Sequence, residues 1–566
     1  MLLGIDDLTN YSSGIPHHAT ILPMRCLFVS ICVFAAWNAA APLCAKEHNA
    51  KPSNYQGLLR QLKPGDTLNL APGKYPRLYL ANLNGTPDAW ITIAGPPADP
   101  PAVIQGAPDY NTVEIENCSY VSIENLRIDS RGIEGAFGIS AKGREHNLTH
   151  HIRIEGNTFI GQNGGQQTDA ISTKIPTWGW VIRYNKILGA GTGLYLGNSD
   201  GTQPFVEGVI ENNLIQNTIG YNMEIKDQGS LPAIPGMPLK PTSTIIRNNV
   251  FIKDDKPSPD GDRPNLIVGA FPETGPGSLN MYEIYGNYFV HNHREALFQG
   301  SGRVSLHDNI FIDGPYDYPA VVLMKQNRPL KVALVYNNTV YTSGSGIRFD
   351  NAALNGDGVI GNLVFASNPI SGPIVGLAGN ITGPLESARL VVQSPSFDPS
   401  AADFYPLPGK CLGAPIDLTM FQSDTEYTLD FNGRAKTQAK GAVVFRGAYA
   451  GEGENSGWRL EAGVKPPHPP LPKIPRLVWI SPTGARAGAE TKLTLTGANF
   501  SDAGAVMVSG DGVKVVNTTV NSDTEITGTL AIAAGAASGT REVTVTTSNG
   551  ASNALHFRLG SSDRQK

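Results

Sequence analysis

The chain has 566 residues, too many for one compact core, so several domains or a repeat array are expected. Only 16% of the residues are charged while 40% are hydrophobic, and Gly (63) and Pro (42) are abundant. This composition excludes a disordered chain and favours many turns. The net charge of -5 provides no basic field, so we expect no nucleic-acid partner.

A short apolar run near the N-terminus, residues 27–37, follows the basic start Met24-Arg25 and precedes small residues at 39–45. This pattern is typical of a secretory signal and is too short for a membrane span. We therefore assign residues 1–45 as an upstream extension and signal peptide, and expect no transmembrane span in the mature chain. The mature protein is expected to be secreted, periplasmic or held at the cell surface.

A recurring segment dominates residues 120–366, in which alternating apolar residues precede an asparagine and further apolar residues follow it. The equivalent residues are Asn125, Asn157, Asn185, Asn213, Asn249, Asn287, Asn309, Asn338 and Asn362. An imperfect repeat of this length fits a coil of three short strands with inserted loops. Asn tolerates the left-handed conformation that a bend requires, and stacked amides can hydrogen-bond between coils. The repeat therefore predicts a parallel β-helix over residues 46–460.

Six prolines in residues 466–475 predict a stiff, extended linker, which we place at 461–475. The segments Ile480 to Phe500 and Arg541 to Phe557 have the strand lengths and turn residues of a β-sandwich. We therefore predict a small sandwich domain over residues 476–560.

The opening LKPGDTLNLAPGKY with NGTPDAWITIAG resembles the first coils of the chondroitinase B and alginate lyase branch of the pectate-lyase-like superfamily. DFYPLPGKCLGAP (403–415) and GAVVF (441–445) resemble the closing coils of secreted β-helices, and ISP with LTGANF resembles the IPT/TIG immunoglobulin-like domain. The resemblance implies an all-β chain, a right-handed parallel β-helix followed by an immunoglobulin-like β-sandwich. It also implies a polysaccharide partner.

We expect the binding and catalytic residues among the outward side chains of the β-helix. On equivalent strands of successive coils these side chains form columns, and neighbouring strands are about 4.8 Å apart. We align AISTK (170–174), GLYLG (193–197), NMEIK (222–226), NLIVG (265–269) and EALFQ (295–299) by their inward apolar residues. Polar outward residues concentrate on these strands, and Gly197 and Gly269 flank Lys226 with room for a ligand. The predicted substrate contacts are Lys174, Tyr195, Gln299 and Arg294.

The resemblance to that branch implies a polysaccharide lyase that cleaves a uronic-acid-containing polysaccharide by β-elimination. Elimination from a uronate needs a group that neutralises the carboxylate, a base for the C5 proton and an acid for the leaving oxygen. MEIKDQ followed by STIIRNNVFI resembles the pattern of the alginate lyase and chondroitinase B branch. That resemblance implies Lys226 as the base and Asn222, Glu224 and Glu295 as Ca²⁺ ligands.

The chain departs from that branch one coil later, where NLIVGAF replaces the family's Arg-His-Gly strand. Other residues would then have to supply the missing catalytic groups. We take Arg247 and His293 as the first candidates, with Arg263, His291 and Arg294 as further loop residues that could substitute.

Two other functions stay open at this point. In a non-catalytic glycan-binding or structural surface protein, Glu224 and Lys226 would be an ordinary exposed ion pair. A glycoside hydrolase would need paired carboxylates, and the paired-Asp signature of the polygalacturonase branch is absent, so we rank hydrolysis below elimination.

His291 and His293 have no third metal ligand at a recognised spacing and are interpreted as solvated turn residues. We expect a monomer.

Overall fold

A computed structural model describes residues 45–141, 148–436, 442–467 and 475–561. The predicted signal peptide, apart from its last residue, lies outside these ranges. Within them, no helix has both the length and the apolar character needed to cross a membrane.

Three long parallel sheets form the first part of the molecule, and from Thr67 onward the chain visits sheets A, B and C in turn. The strands of sheet A are Glu47–Ala50, Thr67–Leu70, Ile91–Ala94, Ser119–Glu124, His150–Glu155, Val181–Arg183, Val209–Glu211, Ser243–Arg247, Met281–Tyr285, Arg303–His307, Val332–Tyr336, Asp357–Ile360 and Leu377–Ala378. Those of sheet B are Gly73–Tyr75, Ala102–Gln105, Arg127–Asp129, Thr158–Ile160, Lys186–Leu188, Leu214–Gln216, Val250–Ile252, Tyr288–Val290, Ile310–Asp313, Thr339–Thr342, Leu363–Phe365 and Ile381–Gly383. Those of sheet C are Leu78–Ala81, Val113–Glu116, Ile139–Ala141, Asp169–Thr173, Thr192–Leu196, Met223–Ile225, Leu266–Val268, Phe298–Gly300, Val321–Leu323, Ser345–Phe349 and Asn368–Ser371.

The inward residues of the three sheets fill one continuous apolar core. Phe251, Phe289 and Phe311 occupy the same position on successive strands of sheet B and stack with centroid separations of 4.8 and 4.6 Å. Such stacked pairs contribute about 0.5–1.5 kcal/mol each beyond the burial of their area. The period-2 alternation of the repeat therefore builds the core directly.

The predicted asparagine ladder is confirmed at the corner between sheets A and B. From Asn157 to Asn380, each side-chain Nδ2 donates to the Oδ1 of the next asparagine over 2.9–3.2 Å. One detail was wrong, because the left-handed residue is the one before each ladder asparagine, as at Asn248 (φ 56°) and Gly286 (φ 64°). Asn125 is itself in that conformation, so Leu126 takes the ladder position and donates its backbone N–H to Asn157.

The described residues between 385 and 465, which exclude 437–441, do not continue the parallel coil. The strands Val392–Ser394 and Asp403–Pro406 pair antiparallel, as do Leu412–Asp417 and Ala442–Phe445, and the surrounding segment packs on the outer faces of sheets B and A. The closing coils that the sequence predicted are therefore absent from the described part of this segment. Its apolar residues instead pack on outward aromatic residues of the β-helix such as Tyr288, and we call the described residues of 385–465 the cover. Short helices at Tyr55–Leu59, Leu385–Leu390 and Thr419–Phe421 and a two-stranded pair, Thr177–Trp178 with Phe205–Val206, complete this part.

Lys465 fastens the end of the cover to the ladder corner. Its buried ammonium donates to Asn248 Oδ1, Gly286 O and Phe431 O at 2.9, 2.9 and 2.7 Å, and its carbonyl accepts from Asn212 Nδ2 at 2.8 Å. The first residues of the predicted linker therefore lie on the β-helix.

Two small sheets around a separate apolar core form the C-terminal part. One contains the strands Arg476–Ser481, Glu490–Ala498, Val513–Ser522 and Glu525–Ile532, and the other contains Gly484–Arg486, Ala505–Val508, Gly539–Thr547, Gly550–Ala551 and Leu555–Gly560. The fold prediction, an all-β chain with a right-handed parallel β-helix followed by an immunoglobulin-like β-sandwich, is confirmed.

Candidate functional site

The register of sheet C decides which polar side chains meet. Ser172, Tyr195 and Glu224 are paired across successive strands, as the alignment predicted. The alignment stays correct at Ile267, one coil later, but it is wrong by two residues on the next strand, where Ile267 pairs with Gln299 and not with Leu297. Gln299 therefore follows Glu224 in its column and not Lys226. Because a shift of two residues keeps every side chain on its own face, alternation alone could not detect this error.

Four side chains form the centre of this face, and we call Lys174, Tyr195, Glu224 and Lys226 the lysine–tyrosine cluster. Lys226 Nζ lies 2.5 Å from Glu224 Oε1 and 4.8 Å from the centroid of the Tyr195 ring. Lys174 Nζ lies 4.6 Å from the same centroid. The Tyr195 hydroxyl shares a hydrogen bond of 2.8 Å with the hydroxyl of Ser199. Two ammonium groups thus converge on one aromatic ring.

Burial separates the members of the cluster. The side chain of Glu224 is only 6% exposed, whereas those of Lys226 and Lys174 are 21% and 33% exposed. Burial raises the pKa of Glu224, and the neighbouring Lys226 partly opposes that shift. The lysines are therefore the groups that solvent reaches, and the carboxylate lies beneath them.

The expected room for a ligand beside Lys226 is wrong at Gly269. A side chain there would overlap the backbone of Lys226 and Asp227, so this glycine permits a close backbone approach. At Gly197 (φ 92°) an added Cβ would contact the Cβ of Lys226 at 3.3 Å. A ligand would instead approach from above the lysine side chains.

Two loops that join sheet B to sheet C stand beside the cluster. Arg263 lies over the Tyr221 ring at 5.5 Å, and its guanidinium donates to the carbonyls of Asp260 and Asp262, both at 2.9 Å. Its charge opposes the rise in the pKa of Glu224. Arg263 was foreseen as a loop substitute, but Tyr221 was missed, because its position before the strand carries no sequence signal.

The predicted calcium ligands do not form one donor set. Asn222 is buried at the bend before its strand, where its Nδ2 donates to the carbonyls of Ile215 and Ile252 at 3.3 and 3.2 Å, so the expected outward position is wrong. Glu224 is paired with Lys226. Glu295 precedes its strand and accepts a hydrogen bond from the next backbone N–H. These residues do not fit a calcium ion, which prefers six to eight oxygen ligands.

Arg247 lies on sheet A, away from the cluster on sheet C. It is held by Glu211 Oε2 at 2.7 Å, Glu426 Oε1 at 2.8 Å and the Tyr285 hydroxyl at 3.1 Å, under the cover. The structure therefore does not bring this predicted catalytic residue to Lys226.

His293 and Arg294 lie in the loop after Tyr288–Val290. Arg294 Nε donates to His293 Nε2 at 2.7 Å, and Arg294 also approaches Asp262 at 3.8 Å. Burial lowers the pKa of His293. These two residues contact each other and the neighbouring loops, and the contacts just described do not include the lysine–tyrosine cluster.

Residues 474–556 match the family model described as quinohemoprotein amine dehydrogenase, alpha subunit domain III. No curated protein matches the chain.

Solved structures similar to this chain include a PL6 family alginate lyase, AlyGC, with 13% identity, a TM-score of 0.38 and coverage of 64% of this chain and 55% of that one. A PL6 family polysaccharide lyase from Pseudopedobacter saltans has 11% identity, a TM-score of 0.38 and coverage of 60% and 93%. A pectate lyase from a Bacillus species, in complex with trigalacturonate, has 13% identity, a TM-score of 0.27 and coverage of 60% and 82%. This chain thus spans about half the length of the first of these proteins. The strand order itself establishes the architecture: the chain is a right-handed parallel β-helix followed by an immunoglobulin-like β-sandwich.

Proposed function

We propose that the chain is a secreted polysaccharide lyase that cleaves a uronate-containing polysaccharide by β-elimination at the lysine–tyrosine cluster. The observation that carries the proposal is the convergence of Lys174 and Lys226 on the Tyr195 ring, at 4.6 and 4.8 Å. An aromatic ring offers a surface for a sugar, the Lys174 ammonium beside it would bind a carboxylate of a polyanionic chain, and Lys226 would be the base. The net charge of -5 supplies no general attraction, so these local cations would be needed.

The pairing of Lys226 with Glu224 gives the lysine a way to act as a base. Burial raises the pKa of Glu224, so this carboxylate takes up a proton more readily than an exposed one, and it touches Lys226 Nζ at 2.5 Å. With its proton passed to Glu224, the neutral amine would accept the C5 proton of the uronate. The electron pair of that C–H bond forms the C4=C5 double bond as the C4–O bond breaks.

The leaving oxygen must receive a proton, and the Tyr195 hydroxyl is the donor that the cluster offers. Lys174 would neutralise the substrate carboxylate, which acidifies the C5 proton. Arg263, on the adjoining loop, would extend the cationic surface. No step in this scheme passes through calcium, because the predicted ligands do not form a set.

The test is incubation of the purified chain with alginate, pectate and glycosaminoglycans, with and without Ca²⁺, while the absorbance of the unsaturated product is followed. We expect product with one of these polymers, loss of turnover in Lys226→Ala and a raised KM in Lys174→Ala. Lys186→Ala removes an exposed strand lysine from sheet B and serves as the matched control. Absence of product with every polymer would refute elimination.

A non-catalytic glycan-binding protein is the second candidate, favoured by the burial of Glu224 beneath Lys226, which also suits a structural ion pair. It predicts that glycan retention survives in Lys226→Ala and Glu224→Ala while no turnover is measurable in any variant.

N-terminal sequencing of the exported protein tests secretion, and size-exclusion chromatography tests the expected monomer.

A further inference from the structure

Loops from successive coils bring two histidines and an aspartate together at the B-to-C side of the helix. Asp255 follows the strand Val250–Ile252, and His291 and His293 follow Tyr288–Val290. His291 Nε2 lies 2.9 Å from Asp255 Oδ1, and His293 Nδ1 lies 3.7 Å from the same oxygen. One donor atom from each residue lies within 4.8 Å of the others. The third ligand that the sequence spacing did not reveal is therefore supplied by the coil before.

Two buried polar atoms around this group are unsatisfied. Among the described residues, His293 Nδ1 has no hydrogen-bond partner, since 3.7 Å to Asp255 is too long for one. Asp313 is only 1% exposed, its Oδ2 has no hydrogen-bond partner among the described residues, and its Oδ1 lies 3.7 Å from His291 Nδ1. A buried polar atom without a partner costs about 1–3 kcal/mol. A cation held by His293 and Asp255 would satisfy the first of these atoms.

We propose that Asp255, His291 and His293 form a binding site for a divalent transition metal of the Zn²⁺ type. Zn²⁺ binds His nitrogen and carboxylate oxygen at about 2.0–2.2 Å, which puts neighbouring donor atoms of a tetrahedral site about 3.4 Å apart. The observed 2.9 and 3.7 Å bracket that spacing. Two imidazoles exclude Ca²⁺ and Mg²⁺ as preferred ions, because these ions take oxygen ligands. The Asp255 side chain is 68% exposed, so an ion from solvent could reach this ligand. Its Oδ1 also accepts from the Tyr316 hydroxyl at 3.2 Å.

Neighbouring residues would orient the ligands. Asp313 Oδ1 accepts the backbone N–H of Asn292 at 3.0 Å and lies 3.7 Å from His291 Nδ1. A small shift of the ring on metal binding would bring Nδ1 within hydrogen-bond distance, so Asp313 would be a positioning residue, as carboxylates beside metal-bound imidazoles are. Arg294 Nε donates to His293 Nε2 at 2.7 Å, which leaves the proton of the neutral ring on Nδ1. Binding at Nδ1 moves that proton to Nε2, so Arg294 must turn away. Its side chain is 45% exposed and is free to do so.

The ion would link two adjacent loops beside sheet C, because its ligands come from both loops. Asp255 begins the loop that carries Arg263, and His291 and His293 begin the loop that carries Glu295. The loops already touch through Asn292, whose Nδ2 donates to Arg263 O at 2.9 Å. This site is separate from the lysine–tyrosine cluster, so its test does not depend on the proposed activity.

The experiment is calorimetric titration of the metal-free, untagged full-length chain with Zn²⁺ alone, and the visible spectrum of the Co²⁺ form. We expect one equivalent bound, and affinity lowered at least about 10-fold in His291→Ala, His293→Ala and Asp255→Asn. Asp313→Asn should weaken binding less, and Arg294→Gln should keep or raise the affinity. His556→Ala removes an exposed histidine of the sandwich and should change nothing.

Two results would overturn the site: no Zn²⁺ bound by the parent chain, or undiminished binding in the His291→Ala/His293→Ala double variant. Loss of affinity in Arg294→Gln would refute the assignment of Nδ1 as the donor atom. Far-UV circular dichroism of each variant separates loss of the site from loss of the fold, a control that matters most for Asp313→Asn, because Asp313 is buried at the end of a sheet B strand.

Discussion

Removing one asparagine from the middle of the ladder should destabilise the β-helix strongly. Among the described contacts, the Asn249 side chain accepts from Asn213 N and Nδ2 and donates to Ile210 O, Arg247 O and Asn287 Oδ1, over 2.9–3.1 Å. Asn249→Ala leaves two or three of these buried groups unsatisfied, at about 1–3 kcal/mol each. We therefore expect the free energy of unfolding to fall by about 4 kcal/mol.

The assay is urea unfolding followed by far-UV circular dichroism, with the slope and the midpoint fitted together. Asn380→Ala is the matched control, because Asn380 is half-buried on the last rung and makes fewer bonds, to Asn362 and Val359 O. It should cost less than half as much. A loss below about 1 kcal/mol in Asn249→Ala, with an unchanged slope, would refute the argument that the ladder stabilises the coils.

Three further predictions concern the cover and the close packing of the coils. Lys465→Met removes three hydrogen bonds of a buried ammonium, so the thermal midpoint should fall and limited proteolysis of the cover should accelerate, whereas unchanged proteolysis would contradict this role. Burial, together with the nearby Glu283, raises the pKa of Asp424, so stability should fall as pH rises from about 4, the unfolded value, through the raised folded value. Thermal midpoints over that range should vary less in Asp424→Asn, and a profile parallel to the parent's would contradict the assignment. Gly193→Ala would overlap the carbonyl of the next coil and should cost about 3 kcal/mol in urea unfolding, whereas Gly57→Ala, with open space around it, should be neutral or slightly stabilising.

The fold was predictable because its signals are local. The period-2 alternation and the repeated asparagine recur in successive coils from Asn157 to Asn380, so each of these coils predicts its own strands and corner. The position of the left-handed residue was missed by one, since Asn and Gly are both frequent there, as Asn248 and Gly286 are.

The candidate site was only partly predictable because it depends on register and on loop stacking. Glu224 and Tyr195 were aligned correctly, but Gln299 was misplaced by a shift that alternation permits. Arg247 is only 21 residues beyond Lys226 in sequence, yet it lies on another sheet. Asp255 meets His291 over 36 residues, and no motif spacing encodes a contact between the loops of two coils.

The ladder also makes each coil an exchangeable unit. Its amide bonds have the same 3.0 Å length whether 18, 22 or 38 residues separate the two asparagines, so the corner is indifferent to what is inserted elsewhere in the turn. Excision of a whole asparagine-to-asparagine interval would leave every remaining donor facing an acceptor. Duplication and loss of entire turns, followed by free growth of the loops opposite the corner, is therefore a route by which such a molecule can change its length while keeping its cross-section.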